Sequence, residues 1–339
     1  MANSKRGIIL MNLGSPDSTS VKDVKKYLDE FLFDKRVIDY SWIFRKVVMQ
    51  GIVVPRRAPK SAEAYETIWT ENGSPLIDLT YQLADKLRWH INDPIAVGMR
   101  YGNPSTEQAF QRILDQIPEP DEIIAVPLYP HYAMSSYETA VEHAKEIYRR
   151  RGYRFKLRFV PPFYNHPDYI SALTEHIRPW LDRDYDHLLF SFHGIPERHL
   201  EKTDPTHEHC LASDNCCNVD SPAHATCYRY QCLATMRLVA AGLDLPEEKY
   251  SFSFQSRLGR EEWLKPYTDF RFQQMPNEGI RNLLVVCPAF VSDCLETLEE
   301  IAIRGKASFL ESGGTGYEMI PCLNISPAWV AALAKIIES

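Results

Sequence analysis

No uninterrupted apolar run in this chain approaches the ~18 residues that a membrane span needs. The N-terminal MANSKRG leads into an apolar run too short for the core and cleavage site of an export signal. A cytoplasmic protein is the expectation. Excess positive charge is also missing: the net charge is −7, which excludes nucleic-acid binding through a general basic surface. No G-x-G-x-x-G follows the first strand-like run, Gly7–Leu13, which counts against a dinucleotide site. Close C-x2-C pairs, the usual mark of zinc, are absent as well.

What is present is an ordinary globular composition, 45% hydrophobic and 24% charged, in 339 residues, a length that suggests about two domains. Short apolar runs predict strands at 7–13, 95–101, 123–129, 155–160, 187–192, 250–254, 283–290 and 317–323. Helical spacing fills the intervals, at 23–33, 62–68, 78–91, 106–117, 137–150, 169–181, 229–241, 293–304 and 327–337. Strands alternating with helices imply parallel sheets covered on both faces, an α/β fold. The eight strands divide four and four around Pro161-Pro162, which suggests two similar doubly wound halves. The expected division is 1–162, 163–324, and a C-terminal helix, 325–339, packing back on the first half.

Two stretches carry chemistry. In LLFSFHGIPERH (Leu188–His199) a buried strand ends at His193 before a break at Gly194 and Pro196. The carboxyl ends of strands are where open α/β sheets bind ligands, and a histidine there can accept a proton or ligate a metal. A capped turn with a structural histidine accounts for the segment equally well. Leu283–Ile303 repeats the pattern: a strand, a break at Pro288, then a helix on which Asp293, Glu296 and Glu300 share a face, with Leu295, Leu298 and Ala302 opposite, suited to pack on the sheet. Asp293 as an N-cap with Glu296 at N3 is the competing, purely structural explanation.

Two further stretches stand out. Residues 31–54 are rich in aromatic and aliphatic side chains, interrupted by Asp34, Lys35, Arg36, Arg45 and Lys46. The pattern favours a core helix hairpin over an apolar wall for a flat ligand or a membrane-facing lip. Arg56 and Arg57 follow, a pair able to clamp carboxylates. Five of the eight cysteines crowd into an insert at 204–232, with spacing C-x5-C-C-x9-C-x4-C. Soft thiolates in a polar loop select zinc or an iron–sulfur cluster. Unligated thiols are the alternative.

The motifs together resemble ferrochelatase. SFHGIP, FQSRLGREEWLKPYTD (Phe254–Asp269) and FVSDCLETLEEI (Phe290–Ile301) carry the likeness in the second half. ILMNLGSPD (Ile9–Asp17), RRAPKSAEAYETIW (Arg56–Trp69), GMRYGNPSTEQA (Gly98–Ala109) and PLYPHYAMSS (Pro127–Ser136) carry it in the first. The resemblance implies two Rossmann-like halves of the class II chelatase kind, with a porphyrin cleft between them and a lip at 31–60. It implies a lyase that inserts Fe2+, as substrate, into protoporphyrin IX to give protohaem, the last step of haem biosynthesis. A coproporphyrin III or other tetrapyrrole chelatase is the alternative within the class, and a non-catalytic haem or iron carrier the alternative outside it. His193 and Glu296 fall on the catalytic and metal-handling positions. Leu13, Arg57, Arg100, Tyr101, Trp263 and Asp293 fall on substrate-binding ones. Cys294 and Met134 stand where animal members have a histidine and a cluster-ligating cysteine, so any cluster here is built differently. Some bacterial members carry a [2Fe–2S] cluster, which points to Cys210, Cys217, Cys227 and Cys232, with Cys216 as the alternative fourth ligand. Expected partners are protoporphyrin IX and ferrous iron, with transient contact to a membrane or to the preceding porphyrin-oxidising enzyme.

Overall fold

The computed structural model describes residues 5–259 and 261–339. Two parallel sheets of four strands form where the apolar runs lie. The first holds β1 (Arg6–Asn12), β2 (Ile95–Met99), β3 (Glu122–Pro127) and β4 (Lys156–Phe159) in the order β2-β1-β3-β4. The second holds β5 (His187–His193), β6 (Tyr250–Gln255), β7 (Asn282–Val286) and β8 (Gly316–Met319) in the order β6-β5-β7-β8. The two halves therefore share one topology. Ile8–Met11 of β1 and Leu188–Phe192 of β5 are completely buried, as expected for central strands covered by helices on both faces. In each sheet the chain leaves the first strand for one side and returns on the other. The switch points thus lie at the carboxyl ends of β1 and β3, and of β5 and β7.

The structure forms two compact units. One takes the described residues up to Tyr129, then Met134–Pro161 and Ala334–Ser339; the other takes Pro130–Ala133 and Pro162–Leu333. The last residues of the final helix, Pro327–Glu338, count with the first unit. In the second unit Trp329 is buried against Phe163 and Tyr169. In the first, Arg158 donates to the Ile337 carbonyl and Arg6 pairs with Glu338. The first core gathers Ile9, Met11, Phe110, Ile123 and Ile147, and the second Leu189, Phe272, Leu283, Ile301 and Phe309.

Residues 31–54 depart from the expected core hairpin. The helix Val21–Phe33 buries Val24, Tyr27, Leu28 and Leu32. Beyond it, Trp42–Phe44 and the wide-turned Arg45–Val53 bury Met49 alone. Trp42, Ile43 and Val47 remain 59%, 67% and 57% exposed. Arg45 and Lys46 sit over the Phe33 ring, so charge interleaves with the apolar side chains and no continuous stripe faces the core. No helix among the described residues is long and apolar enough to cross a membrane.

Candidate functional site

The second unit's switch point assembles the main group. His193 ends β5 half-buried, its ring edge-on to Phe290 with centroids 6.1 Å apart. Its Nδ1 lies 2.6 Å from the Gly194 carbonyl. A carbonyl only accepts, so Nδ1 carries the proton and Nε2 presents a lone pair, the form suited to take a proton or hold a cation. The ring's backbone is pinned: Tyr228 donates its hydroxyl to the His193 carbonyl at 2.8 Å, and the Gly194 N–H meets the Gln255 carbonyl at 2.6 Å. A Cβ on Gly194 would stand 2.8 Å from the Ser256 carbonyl oxygen and 2.9 Å from that of Gln255, so the close approach requires glycine. Trp263 packs over this turn and donates its indole N–H to the Leu258 carbonyl at 3.1 Å.

Gln255, completely interior at the end of β6, ties the crest together. It accepts from Ser191 at 2.8 Å and donates to the Glu296 carbonyl at 2.8 Å. Ser256, with φ +61°, turns back so that its N–H reaches Glu300 at 2.9 Å and its hydroxyl the other Glu300 oxygen. Burial pushes the Glu300 carboxyl up, against the Ser256 hydrogen bond and the nearby His193 ring, which pull it down. A carboxyl with a raised pKa beside an imidazole has the chemistry of a proton acceptor.

Asp293 is spent inside the unit. It accepts from the Thr297 hydroxyl at 2.9 Å and from Asn324 Nδ2 at 2.7 Å, and its N–H goes to Asn324 Oδ1 at 2.8 Å. It does not cap a helix with Glu296. Cys294 is the N-cap, paired with Thr297, which leaves the Glu296 side chain out of the capping box. The expected packing face is also displaced: Thr297, Ile301, Gly305 and Phe309 are buried, while Leu295, Leu298 and Ala302 are only half-buried. Leu298–Gly305 is wound more widely than an α-helix.

In the first unit Leu13 follows β1, half-buried against the core. Arg100 forms an ion pair with Asp34, donates to Thr139 at 2.8 Å and stacks 4.2 Å from the Tyr101 ring centroid. Tyr101 is completely buried with its hydroxyl 2.9 Å from Asp34. Burial pushes the Asp34 carboxyl up, but Arg100, Thr139 and the Arg36 N–H outweigh it and hold it below its usual range. Arg100 and Tyr101 therefore brace the turn after the first helix. Arg57 is exposed on the helix Val54–Glu66.

The five insert cysteines are all buried. Asp204 organises the loop, accepting the N–H groups of Thr206, His209 and Cys210 at 2.8, 2.9 and 2.8 Å. Cys216 and Cys217 lie 3.9 Å apart with Arg229 at 3.7 and 3.6 Å, and the Tyr230 N–H is 3.4 Å from Cys227. The hydrogen bond that the Cys227 thiol makes to Cys210, together with burial, pushes it up to about 12; burial pushes Cys232 up, and its side chain also meets Tyr228. Among the described residues no group of three or more His, Cys, Asp or Glu is arranged to hold a metal ion, so the expected [2Fe–2S] cluster is not supported by this arrangement. The sulfur contacts run through Cys210, Cys227, Cys217 and Cys216, and Cys232 is close enough to feel Cys227 and Cys217 while its thiol meets Tyr228.

Sequence reasoning passed over Gln255, Ser256 and Phe290 as site residues and named Glu300 only as part of a stripe. The signal was available: Gln255 and Ser256 follow the Tyr250–Phe254 run as His193 follows its own strand.

The ferrochelatase family model matches residues 5–339. The chain is 47% identical over 333 residues to the ferrochelatase of Ectopseudomonas mendocina, covering 98% of this chain and 97% of that one. It is 47% identical over 338 residues to the ferrochelatase of Opitutus terrae, with coverage of 98% and 97%. Among solved structures it is similar to SirB from Bacillus subtilis with Fe3+, at 11% identity and a TM-score of 0.55, over 98% of this chain and 94% of that one. The sirohydrochlorin chelatase SirB of Bacillus subtilis subspecies spizizenii in complex with cobalt gives a TM-score of 0.55 at 8% identity, over 98% of this chain and 94% of that one. At such identities the structural likeness speaks to the fold alone.

Proposed function

The chain belongs to the ferrochelatase family, and on that premise we propose that it inserts ferrous iron into protoporphyrin IX to give protohaem, as a lyase in haem biosynthesis. The observation that carries the reading is His193, half-buried at a sheet switch point with Nδ1 tied to the Gly194 carbonyl and Nε2 presented. Metalation removes two pyrrole protons and brings a desolvated cation to the macrocycle. A neutral imidazole can accept one proton or hold the cation, and carboxylates nearby can carry protons away and balance the charge. In this reading His193 and Glu296 meet the iron, and Glu300, held on Ser256, takes protons onward. Leu13, Arg57 and Trp263 contact the porphyrin, with Arg57 paired to a propionate. Arg100, Tyr101 and Asp293 act by support, since their polar groups are already engaged.

The exposed Trp42, Ile43 and Val47, flanked by Arg45 and Lys46, would suit transient contact with an anionic bilayer or with the enzyme that supplies the porphyrin. For the cysteine insert the reading is structural. Iron and acid-labile sulfide analysis of anaerobically purified protein checks it; about two irons with sulfide would install a cluster on Cys210, Cys217, Cys227 and either Cys232 or Cys216.

The test of the main reading is anaerobic incubation with ferrous iron and protoporphyrin IX, following loss of porphyrin fluorescence. Many turnovers per chain are expected. Stoichiometric quenching without turnover would make the protein a carrier. Faster turnover of coproporphyrin III would move the substrate assignment.

A further inference from the structure

The helix Tyr228–Gly242, which follows the cysteine insert, turns a polar stripe inward. Tyr228, Gln231 and Thr235 are buried, and their spacing places them on one face. Each is bonded to a different part of the second unit. Tyr228 donates its hydroxyl to the His193 carbonyl at 2.8 Å. Gln231 donates to the His224 and Ala225 carbonyls at 3.2 and 3.0 Å and accepts from the Tyr132 N–H at 2.7 Å. Thr235 donates to the Tyr164 carbonyl at 2.7 Å. One helix face thus joins the last turn of the insert to the crest that ends at His193.

The insert sets where this helix begins. Cys227 is its N-cap, the thiol accepting the Tyr230 N–H at 3.4 Å. One residue earlier, Thr226 donates its hydroxyl to the Thr203 carbonyl at 2.5 Å, and the Thr203 hydroxyl reaches back to the Thr226 carbonyl at 3.4 Å. Thr203 ends the short helix Glu197–Thr203, which follows the crest directly. The chain therefore closes a ring. It runs from His193 along Glu197–Thr203, across the threonine pair, and through Cys227 and Tyr228 back to the His193 carbonyl. The insert hangs from that threonine pair.

The Tyr228 hydroxyl meets a sensitive point. The His193 carbonyl and the Gly194 N–H belong to one planar peptide group. Tyr228 holds its oxygen, and the Gln255 carbonyl holds its N–H at 2.6 Å. The next carbonyl, that of Gly194, accepts from the imidazole Nδ1. Glycine resists rotation between two peptide groups less than any other residue. Without Tyr228 the first plane is free to turn, and the second then carries the acceptor away from the ring. We propose that Tyr228 is a positioning residue for His193, and that the Thr203–Thr226 closure of the insert sets Tyr228 in place. The kinetic half of this inference rests on the chelatase reading; the structural half does not.

The experiment uses Tyr228→Phe, Thr226→Val and, as a control, Arg237→Gln, which breaks an exposed contact between Arg237 and Asn218. Valine keeps the shape of threonine and loses its hydroxyl. Nuclear magnetic resonance of protein carrying isotope-labelled histidine rings reports the His193 tautomer, at a fixed pH where the ring is neutral; His193→Ala identifies the signal. Wild-type protein and Arg237→Gln should show Nδ1 alone protonated. Tyr228→Phe and Thr226→Val should show the two ring nitrogens averaged. In steady-state metalation with ferrous iron and protoporphyrin IX, Tyr228→Phe should lose about tenfold in kcat, the worth of one net hydrogen bond, with KM for porphyrin unaltered. A single tautomer in both variants would overturn the positioning role. Averaging in Tyr228→Phe alone would support Tyr228 and overturn the part given to the insert. Averaging in Arg237→Gln as well would trace the effect to general loosening and overturn the proposed path. Averaging with undiminished kcat would overturn the kinetic half. A wild-type protein without turnover would sink the chelatase reading, and the spectra would still decide what holds the ring.

Discussion

His193 and Glu296 are separated by more than 100 residues, and each has a competing structural explanation that now makes a different prediction. His193→Ala should keep the fold, because the crest is held by the Gly194–Gln255 and Tyr228–His193 backbone contacts rather than by the ring alone. Metalation should fall by about 10²–10⁴-fold, the usual worth of a general base. Circular dichroism and single-turnover rates on one preparation check this; retention of a tenth of the activity would leave the imidazole a turn residue. For Glu296→Gln, a capping role would cost about 1 kcal/mol and spare activity. The cap is Cys294 with Thr297; Glu296 is engaged through its backbone carbonyl, and its carboxylate meets the Cys294 thiol outside the capping box. Turnover should therefore drop sharply while the melting temperature moves little, and a melting loss with normal turnover would reverse the assignment.

At the scale of elements, strands were legible because burial on both faces demands unbroken apolar runs. Leu283–Val286 and Leu188–Phe192 could hardly be anything else. The winding of 298–305 was not legible, since its side-chain spacing fits an α-helix until Tyr317 and Gln255 select the wider turn from distant parts of the chain. Residues 42–47 misled for a related reason: apolar composition says nothing about which neighbours are present to cover it. The cysteine insert was legible as a unit and its ligation was not, because thiol spacing does not reveal Asp204. That carboxylate satisfies three N–H groups of the loop and also the Thr206 hydroxyl, which holds it well below the ordinary carboxylate range against the opposing effect of burial. Asp204→Ala strands those donors, at a cost of about 1–3 kcal/mol for even one buried group left unpaired. The expected outcome is faster labelling of Cys210, Cys216 and Cys217 by a thiol reagent at unchanged bulk conditions. Wild-type labelling rates would mean that the loop is held by the Cys–Arg229 contacts instead.

Both units of the molecule contain histidines that burial keeps neutral, His131, His187 and His224 in the second and His143 in the first. Burial holds His131 at about 3 and, with help from Arg100, His143 at about 4, against an ordinary value of 6.5. His131 is 2% exposed, its Nε2 is 2.9 Å from Thr235, and its Nδ1 has no partner among the described residues, so protonation would place an unpaired charge in the core. The sign follows from linkage. Between the folded and ordinary values the unfolded chain binds a proton that the folded chain refuses, so stability rises with pH across that window and is complete above it. As pH falls from about 6.5 toward 4, each such histidine should remove about 1.4 kcal/mol per pH unit. Asp34 and Asp204 add losses only below about pH 4, because their folded values lie beneath the usual 3.8. Urea melts at pH 7.5, 6.5, 5.5 and 4.5 should thus show stability falling well before the carboxylates titrate. His131→Gln, which keeps a donor toward Thr235 and cannot charge, should flatten that slope between pH 6.5 and 4.5 even if it lowers stability at pH 7.5. An unchanged slope in the variant would place the acid sensitivity elsewhere than in this buried ring.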